Sequence, residues 1–172
     1  MSLNQQRGAI DFKLEDPQDQ NTKELVSLSL AARDNSYSPY SKFRVGAAVR
    51  TADGTVFQGC NIESCSYNKS DLLVYVADKT FMFFRIGPTV CAERVAISSA
   101  VAAGHRQFDA IAVSSDLTED LITPCGVCRQ FMREFSSDMT ILLVRPDGKF
   151  SRTSLDILLP GSFGPDSLEK PH

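Results

Sequence analysis

The chain has 172 residues, 42% of them hydrophobic and 23% charged, and its formal net charge at pH 7 is −3. This length allows one well-packed core and is too short for two, and the composition is that of an ordinary globular protein. The negative charge argues against a dedicated nucleic-acid surface, which is normally basic.

Targeting signals are not evident in the sequence. Residues 1–20 are polar and lack the apolar core of a signal peptide, so they predict a loose tail and no secretion. No stretch approaches the roughly 20 apolar residues of a membrane span. The five cysteines are an odd number, which fits a disulfide framework poorly. We therefore expect a cytoplasmic protein without a membrane partner, whose clustered cysteines bind metal or do chemistry.

The first predicted elements are a helix and a β-hairpin. The helix is expected to begin at Asn21 or Thr22, because Asn21 and Glu24 have the spacing of a capping box. Residues 43–49 then alternate in polarity as a strand does. Asp53-Gly54 supplies a turn, after which a second strand is predicted over residues 55–60.

Two longer helices and several short strands follow. One helix is predicted from about Cys91 to Ala103, ended by Gly104, and another begins at about Cys125. Ser154 is expected to cap a short helix over residues 155–159. Short strands are predicted at residues 111–113, 141–144 and 149–153. Helices alternating with short apolar strands predict one layered α/β domain over residues 21–172.

Three cysteines at the two helix starts predict a metal site. Cys125 and Cys128 are three residues apart, so on the first turn of a helix they point the same way. Cys91 opens the other helix, and a helix N-terminus favours the thiolate form. Three thiolates make a compact site for one Zn²⁺, and three protein ligands leave a fourth position open, which is typical of catalytic zinc.

Glu93 and Arg94 follow the first of these cysteines directly. A carboxylate two residues after Cys91 can take and return a proton beside the metal, which is general acid–base work. Arg94 is expected to withdraw negative charge from the thiolates by donating hydrogen bonds to sulfur. Each feature alone has an ordinary explanation, because buried free cysteine is common in cores and a helix glutamate is usually solvated. Together, CAE and PCxxC match the signature of the zinc deaminases.

Five segments of the chain resemble the small homotetrameric cytidine deaminases. They occur in family order and read SYSPYSKFRVGAA, GCNIES, TVCAERVAI, TPCGVCRQFMREF and LLPGSFGPDSL. The resemblance implies a three-layer α/β/α fold around a mixed five-stranded sheet. It also implies deamination of cytidine and deoxycytidine in pyrimidine salvage, one Zn²⁺ per subunit, a homotetramer, and no nucleic-acid partner.

The same resemblance implies site residues. Cys91, Cys125 and Cys128 would bind zinc, and Glu93 would shuttle protons. The ribose hydroxyls are assigned to Asn61 and Glu63, and the base to Phe43. Phe163, and Tyr40 or Tyr67, would reach a neighbouring subunit's pocket. The alternative for Phe43 is a core residue of a strand, and for Phe163 an anchor of the tail.

Residues at about 68–88 depart from the family pattern. The family has about four residues between the SY motif and CAER, whereas Tyr67 and Cys91 here enclose a long segment with two apolar runs. The pattern is compatible with a β-hairpin inserted at a loop tip. Three interpretations remain open: packing at a subunit interface or over the site, an unstructured loop, or an intron segment read as protein.

Competing functions also remain open at this stage. A blasticidin-S-type nucleoside deaminase shares the zinc signature, although the NIE and SFGP segments favour cytidine. A zinc-binding homologue impaired by the insertion is a second alternative, against which the retained Glu93 argues. A nucleic-acid-editing deaminase is disfavoured by the negative charge and by cysteine in place of histidine at the first ligand position.

Overall fold

A computed structural model describes residues 12–65, 75–76, 79–80 and 89–168. The main sheet has five strands, in the order β2-β1-β5-β6-β7. They are β1 (Val45–Thr51), β2 (Val56–Cys60), β5 (Phe108–Ser115), β6 (Thr140–Val144) and β7 (Phe150–Ser154). Two short strands, β3 (Tyr75–Val76) and β4 (Lys79–Thr80), pair separately. The helices are α1 (Gln20–Asp34), α2 (Ala92–Ala102), α3 (Gly126–Arg133), α4 (Leu155–Leu158) and α5 (Pro165–Leu168).

The main sheet is mixed, as expected. The β5–β6 pair is parallel, and the β1–β2, β1–β5 and β6–β7 pairs are antiparallel. The predicted hairpin is confirmed, with its first strand beginning at Val45 and its second at Val56, each one or two residues later than expected. Gly54 at the turn has a φ of 91°, a conformation that glycine adopts without steric cost.

Helices cover both faces of the sheet and give the predicted three layers. Successive side chains of a strand point to opposite faces, so Ala47 and Val49 of β1 pack with α2 and α3, whereas Ala48 packs with α1. The α2 and α3 side contributes Ala96, Ile97, Cys128 and Met132 to one buried cluster, and α1 contributes Leu25 and Val26 to the other.

Close contact between α2 and β2 positions the start of α2. A Cβ atom on Gly59 would lie 2.3 Å from the nitrogen of Ala96 and 2.5 Å from the oxygen of Ala92. Only glycine lets the helix approach the strand this closely. The close approach holds the first turns of α2 against β2, and with them Cys91, the N-cap residue of the helix.

Of the two predicted helix caps, one is wrong and the other is confirmed in position only. The cap of α1 is Asp19, whose Oδ1 accepts a hydrogen bond from the nitrogen of Thr22 at 2.8 Å, so the expected Asn21–Glu24 box does not start the helix. Aspartate and asparagine are about equally good caps, so the conformation of the adjacent residues decides which of the two begins the helix. Ser154 occupies the cap position of α4 but its side chain makes no capping hydrogen bond.

The ends of the predicted domain are only partly described. Glu15 pairs with Phe150 of β7 through two backbone hydrogen bonds of 2.7 and 3.0 Å, so the last part of the predicted tail is attached to the sheet. Of the predicted insertion at about 68–88, only β3 and β4 belong to the described residues. Within the described ranges, no helix combines the length and apolar character that crossing a membrane requires.

Candidate active site

The three predicted metal ligands come together at the starts of α2 and α3. Cys91 and Cys125 are the N-cap residues of the two helices, and Cys128 lies buried in the first turn of α3. The Sγ atom of Cys125 lies 3.9 Å from that of Cys91 and 3.5 Å from that of Cys128. All three sulfur atoms lie within 4.8 Å of one another, and we call them the thiol cluster.

The thiol cluster has the spacing that a zinc ion requires. Tetrahedral geometry with Zn–S bonds of about 2.3 Å puts neighbouring sulfurs about 3.8 Å apart. The Cys125–Cys128 and Cys91–Cys125 separations, 3.5 and 3.9 Å, lie on either side of that value. In the described part of the chain, no other group of three histidine, cysteine or acidic side chains meets the same criterion. The donor set therefore fits zinc with three protein ligands.

Hydrogen bonds at the thiol cluster favour a thiolate at Cys91. A hydrogen bond from Cys128 and one from Arg94 lower the pKa of Cys91 to about 5, against the opposing effect of burial. The Nη2 atom of Arg94 lies 3.7 Å from the Sγ of Cys91 and donates to the carbonyl of Thr89 at 3.2 Å. The expected contact between Arg94 and a thiolate is therefore present.

Glu93 is a buried carboxyl group in the first turn of α2. Its side chain is only 4% exposed. Burial, together with the negative charge of Cys91, raises the pKa of Glu93 to about 7. A carboxyl group with a pKa near neutral can both accept and return a proton, which is the property a general acid–base catalyst needs.

Asn61 is buried and holds the loop of residues 36–45. Its Oδ1 accepts hydrogen bonds from the hydroxyl of Ser36 and from the nitrogen of Val45, the latter at 2.9 Å. Its Nδ2 donates to the carbonyl of Phe43 at 2.9 Å. An amide oxygen has two lone pairs, so both acceptor positions of Asn61 are used within the protein.

Glu63 binds the same loop from the other end of the NIE motif. Its Oε2 accepts hydrogen bonds from the backbone nitrogens of Tyr40 and Ser41, at 2.9 and 3.3 Å. Burial raises the pKa of Glu63, but the hydrogen bonds from Ser41 and Tyr40 outweigh that effect and leave the pKa below its usual value. Glu63 is thus held as a carboxylate beneath the loop.

Backbone pairing joins the NIE motif to the thiol cluster. Ile62 and Val90 exchange two hydrogen bonds of 3.0 Å, which we call the Ile62–Val90 bridge. Val90 directly precedes Cys91, so Asn61 and Glu63 lie beside the cluster although a long segment separates them in sequence. The NIE motif and the thiol cluster therefore remain adjacent despite the departure from the family pattern at about 68–88.

The remaining predicted residues are less closely tied to the cluster. Phe43 is half-buried in the loop before β1, outside the strand in which it was expected. Phe163 is 60% exposed, and its carbonyl accepts a hydrogen bond from Gln130 at 3.0 Å. Tyr40 is exposed near Glu63. Tyr67 lies outside the described residues.

Two arginines of α3 were not predicted as part of the site. Arg129 donates three hydrogen bonds, to the carbonyls of Pro124 and Leu158 and to the hydroxyl of Thr123, at 2.6, 2.7 and 2.8 Å. It thereby holds the segment that leads into Cys125. Arg133 binds the segment after α4. Their position on a short helix with a buried apolar face could have indicated them, because a charged side chain packed there needs hydrogen-bond or charge partners.

Residues 19–144 match the sequence profile of the family described as "Cytidine and deoxycytidylate deaminase zinc-binding region". The chain belongs to this family. The family assignment confirms the resemblance inferred from the sequence and, with it, the expected enzyme class, a zinc-dependent deaminase.

Relatives and solved structures agree with the family assignment. The chain is 38% identical to a cytidine deaminase of Sporosarcina psychrophila, over 86% of this chain and 95% of that protein. It is 39% identical to a probable cytidine deaminase of Dictyostelium discoideum, over 86% of this chain and 89% of that protein. The crystal structure of cytidine deaminase from Burkholderia pseudomallei superposes with a TM-score of 0.66 at 41% identity, covering 81% of this chain and 97% of that one. The deaminase fold expected from the sequence is therefore confirmed.

Proposed function

We propose that this deaminase hydrolyses cytidine and deoxycytidine to uridine and deoxyuridine, with release of ammonia. The observation that carries the proposal is a buried carboxyl group, Glu93, beside three thiols with zinc-binding spacing. The printed names of the relatives support the choice of substrate. A structural zinc site has no use for a proton carrier, so the retained Glu93 favours catalysis.

The thiol cluster would hold one Zn²⁺ per subunit. When bound, the ion supplies Lewis acidity and makes water acidic enough to act as a nucleophile near neutral pH. Arg94, which contacts the Sγ of Cys91, would reduce the negative charge that three thiolates place on the site.

Glu93 would move the protons of the reaction. Its carboxylate takes a proton from the attacking water and delivers it to N3 of the pyrimidine. It then takes the second water proton, from the hydroxyl now attached to C4, and passes it to the exocyclic nitrogen, whose bond to C4 breaks so that it leaves as ammonia while the C4 carbonyl forms. Burial supports this role because it brings the pKa of Glu93 to about 7, close to the working pH of a cellular enzyme.

Asn61 and Glu63 would bind the sugar while they hold the loop. Both side chains are hydrogen-bonded to residues 36–45, so Asn61, Glu63 and the loop form one hydrogen-bonded unit next to the cluster. The Nδ2 atom of Asn61 carries a second hydrogen and Glu63 has a second oxygen, Oε1, and these would meet the sugar hydroxyls while the other atoms hold the loop. Phe43 would pack against the base, as aromatic side chains stack on flat rings.

The complete enzyme would be a homotetramer acting in cytoplasmic pyrimidine salvage. In this proposal, Phe163 enters the site of a neighbouring subunit, and Tyr67 or Tyr40 contributes at the same boundary. The exposed ring of Phe163 supports this assignment, because nothing described in its own subunit covers it fully.

A cytidine-to-uridine assay on zinc-replete protein tests the proposal. We expect turnover of cytidine and deoxycytidine that is lost when a chelator removes the metal and restored when zinc is returned. Blasticidin S, assayed in parallel by absorbance, should be a poor substrate. Zinc-loaded, folded protein that leaves cytidine unchanged would contradict the proposal and favour a homologue impaired by its insertion. Faster loss of blasticidin S than of cytidine would favour the other nucleoside.

A further inference from the structure

A buried arginine attaches the segment after α4 to helix α3. The side chain of Arg133 is largely buried, and the residue is 9% exposed. Its Nε donates to the hydroxyl of Ser162 at 3.0 Å, and its Nη2 forms an ion pair with Asp166. A buried charge is costly unless it is paired and hydrogen-bonded. Both partners come from residues 162–166, so this segment is what compensates the charge of Arg133.

Gly164 lies directly against the same guanidinium group. A Cβ atom at this position would lie 2.3 Å from the Cζ of Arg133, well inside van der Waals contact. A side chain at this position would require the guanidinium group to shift. Gln130, one helical turn before Arg133, donates to the carbonyl of Phe163 at 3.0 Å. We call Gln130, Arg133, Gly164 and Asp166 the clamp.

The clamp fixes the backbone on both sides of Phe163 while the ring faces outward. The residue is 60% exposed although its own carbonyl and the next residue are held against α3. Exposed aromatic residues are common singly and need no special explanation. Here, however, a buried charge and a glycine restricted by contact both serve to hold one exposed ring in place.

The same chain exposes a second apolar surface next to the candidate site. Tyr37, Tyr40 and Ile62 are 57%, 51% and 43% exposed; the two tyrosines lie in the loop that Glu63 holds, and Ile62 pairs with Tyr37. The surface lies beside the thiol cluster, because Ile62 pairs with Val90. A ring presented by one copy and an uncovered apolar edge on another are complementary, and their contact removes both from water.

We propose that Arg133 is a positioning residue, which through the clamp presents Phe163 to the substrate site of a second copy of this chain. The inference rests on the proposed function, in which the enzyme is an oligomer and Phe163 crosses to a neighbour. The inference adds that the clamp sets the direction in which the ring of Phe163 points. Without the clamp, the ring is still present but the neighbouring site loses one of its walls.

A tryptophan in place of Phe163 provides a direct reporter, because the chain has no tryptophan of its own. We expect the Phe163→Trp protein to emit at the short wavelengths of a buried indole in the oligomer. Adding Arg133→Gln should shift the emission towards that of indole in water. Arg50→Gln is the matched control, since it removes another arginine–aspartate pair, that of Arg50 with Asp109, on the β1–β5 side of the sheet.

Kinetics separate positioning from a general structural effect. In the wild-type background, Arg133→Gln should raise KM for cytidine about tenfold and change kcat much less, because a wall of the binding site is displaced. Zinc content should equal that of the wild type. Asp166→Asn, an exposed substitution that leaves the arginine in place, should shift KM in the same direction by a smaller factor.

The contact between Gly164 and Arg133 permits a coupling test. Gly164→Ala alone should raise KM, because its new methyl group displaces the guanidinium. In an Arg133→Ala background the same change should have almost no further effect, because its collision partner is gone. Additive effects would overturn the proposal.

Two other outcomes would overturn it as well. One is water-like emission from Phe163→Trp in a protein that light scattering shows to be oligomeric. The other is an emission spectrum that Arg133→Gln leaves unchanged. The fluorescence measurement needs no substrate, so it separates the two proposals. Lack of cytidine turnover with a normal emission shift removes the proposed function alone, and normal turnover without the shift removes the clamp alone.

Discussion

The thiol cluster and the loop of residues 36–45 are neighbouring halves of one site, but the sequence separations between their contacting residues differ. The cluster combines short spacings at two helix starts, where Cys125 and Cys128 are three residues apart, with one contact between Cys91 and Cys125 that spans 34 residues. The loop is held by hydrogen bonds that span 16 to 25 residues, from Asn61 and Glu63. Short motifs therefore mark the first half, although packing of α2 beside α3 is needed to close it, whereas the second half depends on tertiary contacts alone.

Removing one sulfur should break the cluster half completely. We expect Cys91→Ala to lose both bound zinc and turnover, because two remaining thiols cannot close a three-ligand site. Elemental analysis of purified protein measures the metal. The matched control is Cys60→Ala, whose thiol lies outside the cluster and donates to the carbonyl of Asn35 at 3.3 Å. Full zinc content in Cys91→Ala would remove this residue from the ligand set.

Glu93→Ala should separate chemistry from metal binding within the same half. Loss of a general acid–base group typically costs about a hundredfold to ten-thousandfold in rate. We expect a kcat loss near the upper end of this range, since one carboxyl group serves every proton transfer, with zinc content unchanged. Glu119→Ala, at an exposed position, should have wild-type kcat. Substantial turnover by Glu93→Ala would exclude Glu93 from the mechanism.

Asn61→Ala should weaken the loop half and leave the cluster intact. The change removes the partners of Ser36, Val45 and the Phe43 carbonyl, so we expect a loss of about 1–3 kcal/mol in the free energy of unfolding. The KM for cytidine should rise about tenfold, with full zinc content. Urea denaturation and steady-state kinetics measure the two effects, and Asn35→Ala at an exposed position is the control. A loss of zinc instead would mean that the two halves are not separable.

The smallest expected effect is the pH dependence of the loop. The pKa of folded Glu63 lies below its ordinary value of 4.5. The unfolded chain therefore binds the proton first as the pH falls, and the contribution of Glu63 is complete above pH 4.5 and lost as the pH falls through the folded pKa. The free energy of unfolding of Glu63→Gln should depend less on pH in this acidic range than that of the wild type. Parallel curves for the two proteins would contradict the assigned hydrogen bonds.

Local patterns were enough to predict most of the helices and strands, whereas the three-layer arrangement around a five-stranded sheet came from the family resemblance. The β1–β2 hairpin follows from alternating residues around Asp53-Gly54, and the end of α2 from Gly104. The start of α1 was missed because Asp19 and Asn21 are both good caps, and the sequence does not choose between them. Ser154 was correctly placed at the start of α4, but cap position alone does not guarantee a hydrogen bond from the side chain, and none forms.

The site was predictable to the extent that its contacts are local or carried by motifs. The thiol cluster forms as the spacing indicated, and Arg94 contacts Cys91 as expected. The engagement of Asn61 by Ser36, Val45 and the carbonyl of Phe43 could not be foreseen, because no spacing rule links residues so far apart. Arg133 was missed for the same reason, since its partners lie about thirty residues further along the chain.

The Ile62–Val90 bridge has a consequence for how such a chain can change over time. The bridge joins Ile62 to Val90, and so fixes both ends of the segment between them independently of its length and sequence. Closing a loop of about 27 residues in place of about eight adds only about 1 kcal/mol of entropic cost. Extra length can therefore accumulate beside a catalytic centre at little thermodynamic penalty, and the position is a natural attachment point for new sequence.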